Sequence, residues 1–534
     1  MLSCTEAWCR CLTLRASGWP AVVGRGKSPR ALSIPGCSLS SVLWFWALWA
    51  CGLGSGLTST VAEAGPPHVV LIAIDDLNDW IGPLGGHPLA HTPNIDRLAR
   101  RGTVFANAHC QAPLCNPSRS SLLTGLRPGS TGIYGLAPSF RTLPALARHP
   151  TLLQSLRQAG YRTELGGKIF HQAPVPQERD AEVDLWGPGF GPGKQPAAKL
   201  IPPTPMGNHP AMDWGPFPHA DADKGDYQLA TWACERLKLR PADRPLLLAA
   251  GFFLPHVPCH APPAWFARLP TDDTLLPPAA TLVRGELPRF GWYLHWNLPE
   301  PRLKWLREHD QWRNLCRSYL ACTTFVDAQI GRLLDAIDEQ GLTDNTLVVL
   351  FSDHGFHLGE KQISGKNTLW ERSTRVPLIL AGPGVAAGAV CQRPVELLDV
   401  YPTLCDLCGA PAPAGLEGVS LRPWLVDANA RRARPAITTH NRGNHAVRSE
   451  RWRLIAYADG SEELYDHASD PHETRNLAGL PDYAEVRAEH RRWLPQINLP
   501  PAPGSAHRVL TYDPETDLAT WEGTAVSRES PIPE

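Results

Sequence analysis

The sequence predicts an α/β fold: a large, mostly parallel central sheet covered by helices on both faces, with a smaller C-terminal α+β domain containing an antiparallel sheet. Three observations predict it. Continuous apolar runs such as HVVLIAI, residues 68–74, read as strands buried on both faces, the habit of parallel sheets. These runs alternate with stretches of helical length, which parallel strands need as crossovers. Past about Leu425 the pattern changes to short strands flanking Asp459-Gly460, a tight-turn pair that marks a hairpin.

Taken in order, the strand His68 to Ile74 ends on Asp75 and Asp76. Pro93 to Arg101 predicts a short helix with Thr92 as N-cap and Gly102 at its end. Thr103 to Ala108 predicts a strand leading into CNPSRSSLLTG, residues 115–125. Pro117 suits the first turn of a helix, because its missing N–H would have no partner there. This puts Cys115 just before a helix N-terminus, where free backbone N–H groups attract anions. Arg119 lies about one helical turn on and can support the same anion. Leu152 to Ala159 predicts a helix capped by Thr151 and stopped by Gly160.

Tyr161 to Leu165 and Pro245 to Phe252 predict the next strands. Between them, Phe170 to Pro218 is rich in Gly and Pro and reads as a long ordered excursion over the surface. Ser318 to Gln340 predicts a long amphipathic helix closed by Gly341. Thr346 to Phe351 predicts a strand ending in Ser352-Asp353-His354, and Val376 to Leu380 a further strand. Trp452 to Tyr457 and Glu462 to Tyr465 predict the two arms of the hairpin. The last thirty or so residues are Pro-rich and polar, and no element is predicted in them.

With 534 residues the chain is long enough for more than one domain. We divide it into an N-terminal extension with a signal- or lipoprotein-like segment (1–64), a candidate catalytic domain (65–425) and a smaller C-terminal domain with a Pro-rich tail (426–534). Lys and Arg number 51 against 52 Asp and Glu, and no basic tract occurs, which argues against a nucleic-acid partner. Ser41 to Leu57 is an uncharged apolar run preceded by Arg25, Lys27 and Arg30, the order of a signal peptide. The run is shorter than a comfortable membrane span of about 20 residues. Export is therefore expected, whether periplasmic, secreted or as an outer-membrane lipoprotein. Leu48 to Cys51 resembles a lipobox, and such an anchor would be the chain's one membrane contact. Beyond Cys51, setting Cys115 aside, an even number of cysteines remains, which permits disulfides. Cys405-Asp406-Leu407-Cys408 reads as a structural disulfide or as two buried thiols.

The candidate chemistry sits at strand ends, where ligands bind in α/β sheets. Adjacent carboxylates at Asp75 and Asp76 repel unless a proton or cation neutralises them. Asp353 and His354 complete such a site if their strand lies beside the first. Mostly oxygen ligands favour a hard divalent cation, calcium or magnesium.

The stretch from Cys115 to Gly125 matches a signature of Cys, any residue, Pro-Ser-Arg, three free positions and Leu-Thr-Gly. Further along stand Gly167-Lys168 with His171, His256, Asp353-His354-Gly355 and Lys366. Together with Asp75-Asp76, this set resembles the sulfatase family of the alkaline-phosphatase-like superfamily. GKIFH, FFLPHVP and His354 look most like its iduronate-2-sulfatase branch, and ELYDHASDPHETRNLA resembles the C-terminal region of bacterial members.

The resemblance implies that a maturation enzyme oxidises Cys115 to formylglycine, which is hydrated to a geminal diol. It implies a cation, Ca2+ in preference to Mg2+, held by Asp75, Asp76, the modified Cys115, Asp353 and His354. Cys115, Arg119, Lys168, His171, His256 and Lys366 become the catalytic set, and a sulfate ester on a sugar the substrate. Arg119, Lys168 and Lys366 would offset charge on the sulfuryl oxygens, His256 would protonate the leaving oxygen and His171 would act as base. His260 competes with His256, and Lys361 with Lys366; His357 is a further pocket residue. Trp186, Trp214, Trp292 and Trp296 are candidate walls for a sugar ring. Two other readings stay open: a phosphonate or phosphodiester hydrolase, and a non-catalytic sulfoglycan-binding protein if Cys115 stays unmodified.

Overall fold

The computed structural model describes residues 65–533, apart from Met206 and residues 278–286. The apolar run from Ser41 to Leu57, with Cys51, lies outside the described residues. No helix among the described residues is long and apolar enough to cross a membrane.

Eight strands make the main sheet: β1 (His68–Ile74), β2 (Gly102–Phe105), β3 (Arg162–Gly167), β4 (Leu185–Trp186), β5 (Leu246–Phe252), β6 (Thr346–Ser352), β7 (Leu378–Ala381) and β8 (Ala389–Cys391). Their spatial order is β8-β2-β7-β6-β1-β5-β3-β4. Neighbours run parallel, except that β7 is antiparallel to β2 and to β6. The sheet is thus mostly parallel, as the apolar runs predict.

Side chains of β1 alternate between its faces. Val70, Ile72 and Ile74 pack with Tyr319, Phe325 and Ile330 of the helix Gln311–Glu339. Val69, Leu71 and Ala73 pack on the other face with Leu122, Leu153 and Leu404. All six β1 residues are fully buried, each of the larger ones contributing about 1.5–3 kcal/mol. Helices therefore cover both faces. A separate four-stranded antiparallel sheet, Ala436–Thr439, His445–Arg448, Trp452–Ala456 and Glu462–Asp466, contains the hairpin turned at Gly460.

Four local expectations are corrected. The long helix begins at Gln311, not Ser318, because its first two turns are packed: Trp312 Nε1 donates to the Leu358 carbonyl at 2.6 Å, and Leu315 and Cys316 are buried. Strand β3 runs on to Gly167, past Leu165. At Gly167, φ is +72°, and a Cβ would lie 2.1 Å from the Gly251 carbonyl oxygen, so glycine lets β3 close on β5. The tail forms three antiparallel strands, Leu510–Asp513, Leu518–Trp521 and Thr524–Val526, anchored by buried Trp521 against Phe290 and Trp292. Thr92 does not cap the helix Pro93–Arg101; its hydroxyl instead accepts from the Gly82 N–H at 2.8 Å. Thr151 caps as expected, in a reciprocal box with Gln154. Cys405 and Cys408 are free, buried thiols.

Candidate active site

Strand register brings the site together. Ile74, the last residue of β1, pairs with Phe252 on one side and Ser352 on the other. The next residues of all three strands therefore emerge at one edge: Asp75 and Asp76, then the loop to His256, and Asp353 with His354. Gly167 pairs with Gly251, which adds Lys168 from β3. The helix Cys115–Thr124 starts at the same edge, docked by Ser118 Oγ donating to the Asp353 carbonyl at 2.5 Å. Cys115 is its first helical residue rather than the one before it.

Asp76 holds a left-handed backbone at φ 62°, a strained conformation for a non-glycine residue. Tyr319 fixes it, donating to the Asp76 carbonyl at 2.7 Å and accepting from the Asn78 N–H at 2.8 Å. Ser352 Oγ accepts from the Leu77 N–H at 2.9 Å. These two supports carried no sequence signal beyond Ser352 preceding Asp353.

Three positive groups converge on the Cys115 sulfur. His354 Nε2 and Lys366 Nζ each lie 3.2 Å from Sγ, and Lys168 Nζ lies 3.9 Å away. Burial pushes this thiol up, but Lys168, Lys366 and His354 outweigh burial and hold it well below its ordinary value. The carboxylates lie beside these cations. Lys366 Nζ is 2.7 Å from Asp76 Oδ1, and Lys168 Nζ donates to Asp75. Burial raises Asp75, yet Lys168 next to it keeps it far below the usual carboxylate range. Burial lifts Asp353 to about 6 against the pull of Arg119. Burial alone would lower His354, but Asp353 beside it carries it up to about 9.

Arg119 departs from its expected role. Its Nε donates to Asp353 Oδ2 at 2.8 Å, one terminal nitrogen lies 3.3 Å from Asp75 Oδ1, and the other donates to the Lys168 and Ile169 carbonyls. It lies behind the carboxylates and clamps them, directed at protein rather than at the cavity.

The competing residues separate cleanly. His260 is 1% exposed, with one ring nitrogen 3.0 Å from Asp213 Oδ2 and the other 3.0 Å from Gln195 Oε1. Both its nitrogens are occupied by structure. His256 lines the Cys115 cavity, its Nε2 3.9 Å from Asp76 Oδ2 and its Nδ1 2.5 Å from the Val257 carbonyl. A carbonyl only accepts, so Nδ1 carries a hydrogen. Lys361 donates to the Glu473 carbonyl and lies over the Trp370 and Tyr465 rings, whereas Lys366 reaches Cys115. His171 lines the same cavity and helps to hold the Cys115 thiol below its ordinary value. His357 lines a different cavity.

The cavity over Cys115 measures about 420 Å3. Besides the expected Lys168, His171, His256 and Lys366, it is lined by His209, Glu300, His507 and Arg508, which no motif marks. The four tryptophans do not line it. Trp214 and Trp292 are buried in apolar clusters, Trp186 stacks near Phe170, and Trp296 borders a small neighbouring cavity. Ordinary burial accounts for them.

The donors fit a hard divalent cation. Asp76 Oδ2 is buried without a hydrogen-bond partner among the described residues. Ligating atoms of Asp75, Cys115, Asp353 and His354 lie within 4.8 Å of one another, as do those of Asp75, Asp76, Cys115 and His256. The two sets overlap and contain every expected ligand, with His256 added.

Comparison with known proteins gives the family and the fold. The Sulfatase family profile matches residues 67–410, and that of the N-sulphoglucosamine sulphohydrolase C-terminal region matches residues 359–498. A sulfatase of Formosa agariphila is 37% identical over 469 residues, covering 85% of this chain and 90% of the relative. A Delta 4,5-hexuronate-2-O-sulfatase of Bacteroides thetaiotaomicron is 27% identical, covering 83% and 91%. The crystal structure of a phosphonate monoester hydrolase of Agrobacterium radiobacter shares the fold, with a TM-score of 0.65 at 22% identity, covering 80% and 94%.

Proposed function

Since this chain belongs to the Sulfatase family and is a sulfuric ester hydrolase, we propose that it removes sulfate from sugars, using a formylglycine made from Cys115 and a divalent cation, calcium before magnesium. One observation carries the proposal: Lys168, Lys366 and His354 all face the Cys115 side chain at a carboxylate-lined cavity floor. A structural cysteine needs no such surroundings. The hexuronate sulfatase relative supports a sulfated sugar as substrate.

Here Sγ stands where the hydrated aldehyde's oxygens would be. That hydrate supplies a nucleophilic oxygen and a second hydroxyl whose deprotonation lets sulfate leave. The cation, held by Asp75, Asp76, Asp353 and His354, supplies Lewis acidity and charge neutralisation when bound. Lys168 and Lys366 bear on the sulfuryl oxygens and offset charge as it develops there. Arg119 is a positioning residue, holding Asp75 and Asp353 in register with Cys115. His256 donates its Nε2 proton to the leaving sugar oxygen, its ring fixed by the Val257 carbonyl. His171, which lines the cavity with Cys115, takes the hydroxyl proton as sulfate departs.

A cavity of about 420 Å3 suits a terminal sugar rather than the middle of a chain. The N-terminal apolar run supports export, with cleavage between Cys51 and about fifteen residues further on. N-terminal sequencing of protein from its host tests this, and an uncleaved cytosolic chain overturns it. Mass analysis of the Cys115 peptide tests formylglycine formation by a maturation enzyme. Activity is tested by comparing kcat/KM on defined sulfated mono- and oligosaccharides with that on an aryl phosphodiester and an aryl phosphonate. Sulfated sugars should be turned over fastest; faster turnover of both phosphorus esters than of every sulfated sugar overturns the assignment.

A further inference from the structure

The tail reaches the reaction centre. Residues beyond 498 lie outside both family profile matches, yet His507, Arg508 and Glu522 line the Cys115 cavity. Arg508 is held at some cost. Its backbone is left-handed at φ 72°, next to His507 at φ 59°. Asn441 stabilises this turn: its Nδ2 donates to the Arg508 carbonyl at 3.3 Å, and its Oδ1 accepts from the Leu510 N–H at 3.0 Å. Glu522 accepts from the Arg508 N–H.

The side chain is positioned but not saturated. One terminal nitrogen of Arg508 lies 3.3 Å from Glu300 Oε2. The other is buried and has no hydrogen-bond partner among the described residues. A buried guanidinium N–H without an acceptor is costly, and a ligand oxygen would relieve that cost. Glu300 is itself buried, and it packs on Gly365, where a Cβ would lie 2.7 Å from the Glu300 Cγ. Gly365 precedes Lys366, so Glu300 packs on the backbone beside the sulfate-facing lysine while its carboxylate pairs with Arg508. A planar guanidinium suits a carboxylate or sulfate oxygen pair.

We infer that Arg508, oriented by Glu300, forms a second anion subsite in the Cys115 cavity, which selects sulfated sugars carrying a second acidic group. The inference rests on the sulfated-sugar reading and adds that a neutral monosulfated sugar is a poor substrate. The acidic group is a carboxylate or a second sulfate ester.

The test compares three substrates on the mature enzyme: a monosulfated uronic acid, the matched monosulfated hexose bearing CH2OH in place of the carboxylate, and a disulfated hexose. The expected result is a kcat/KM advantage of about tenfold or more for at least one acidic substrate over the neutral one, carried mainly by KM. Which substrate gains identifies carboxylate or sulfate. In Arg508→Ala and in the size-conserving Arg508→Gln the ratio should fall toward one, while Arg508→Lys keeps part of it. Equal kcat/KM on all three substrates for the unaltered enzyme overturns the subsite, and this needs no variant to fold. So does an advantage that persists in folded Arg508→Gln. Turnover of the neutral sugar sulfate without any acidic preference leaves the sulfatase reading intact while ending this one. No turnover of any sulfated sugar ends both.

Discussion

The Cys115 cluster and the cluster of Glu371, His467 and Glu473 share their ingredients. Each brings carboxylates and a histidine within 4.8 Å of one another, and each borders a cavity. They differ in how the charge is completed. Arg453, fully buried, pairs with Glu371 and lies 2.7 Å from Glu473 Oε1. Arg448 Nε lies 3.2 Å from Glu371 Oε2, and Glu473 Oε2 accepts from the Glu371 N–H at 2.9 Å. Burial pushes Glu473 up, but Arg453 overrides it and holds the carboxyl down at about 2. In the Cys115 cluster, by contrast, Asp76 Oδ2 has no hydrogen-bond partner among the described residues, and Lys168, Lys366 and His354 face a thiol. The larger cavity, about 540 Å3, belongs to the completed cluster. Size therefore does not separate the two clusters; what separates them is that arginines face the carboxylates of one and a thiol lies among the carboxylates and lysines of the other. A saturated network stabilises the fold, and an unsaturated one is poised for a ligand.

Replacing Cys115 gives the sharpest contrast. Cys115→Ala should lower kcat by about 10⁴-fold or more while leaving the thermal midpoint nearly unchanged, since Lys168 and Lys366 keep their carboxylate partners. Initial rates and melting curves on the same preparation check both halves. Retained turnover would remove Cys115 from the chemistry.

The two histidines should divide along the same line. His256→Ala should cost about 10²–10⁴-fold in kcat with the fold intact. His260→Ala should instead cost about 1–3 kcal/mol of stability by leaving Asp213 Oδ2 without its partner, with activity per folded molecule largely kept. Chemical denaturation and steady-state kinetics on both variants separate the outcomes, and the reverse pattern would exchange their roles.

Arg453→Ala should destabilise the protein by about 3–5 kcal/mol, because Glu371 and buried Glu473 lose the guanidinium they share. Folded Arg453→Ala that is inactive would break the comparison, for it would give the second cluster a part in the reaction. Metal analysis probes the same point. One equivalent of divalent cation should bind, and verified removal should lower turnover by about 100-fold. A second equivalent lost on replacing His467 would show that the Glu371 cluster is also a metal site.

The smallest effect is on acid stability. Glu473 titrates at about 2 in the folded chain against an ordinary 4.5, so its stabilisation is complete above about pH 5. It is lost as pH falls from 4.5 toward 2. Glu473→Gln should flatten the decline in thermal midpoint across that window by a few degrees. A slope unchanged from the parent protein would show that other groups carry it.

Much of this was legible locally. The β1 run, the strand before Asp353 and the Thr151 cap follow from side-chain periodicity and single-residue chemistry, which neighbours in sequence decide. Asp75, Asp76, Asp353 and His354 lie where the strand-end rule puts them, and Cys115 lies at a helix start. The start of the long helix is not legible locally, because Gln311 to Arg317 is held by contacts of Trp312 and Cys316 with Leu358, distant in sequence. The tail was unreadable because its strands rest on Phe290 and Trp292, more than two hundred residues away.

The amino-acid sequence by itself determined the fold class, the family and the pool of candidate side chains, because periodicity, turn residues and a contiguous signature are local properties. Only the tertiary structure separated equals: His256 lines the Cys115 cavity and His260 does not, Lys366 reaches Cys115 and Lys361 does not, Arg119 clamps carboxylates, and Arg508 lines the cavity. The physical reason is that a polar side chain acts on a ligand only if the fold leaves it unsaturated. His260 is spent on Asp213 and Gln195, and Lys361 on Glu473, partners that no short stretch of sequence contains.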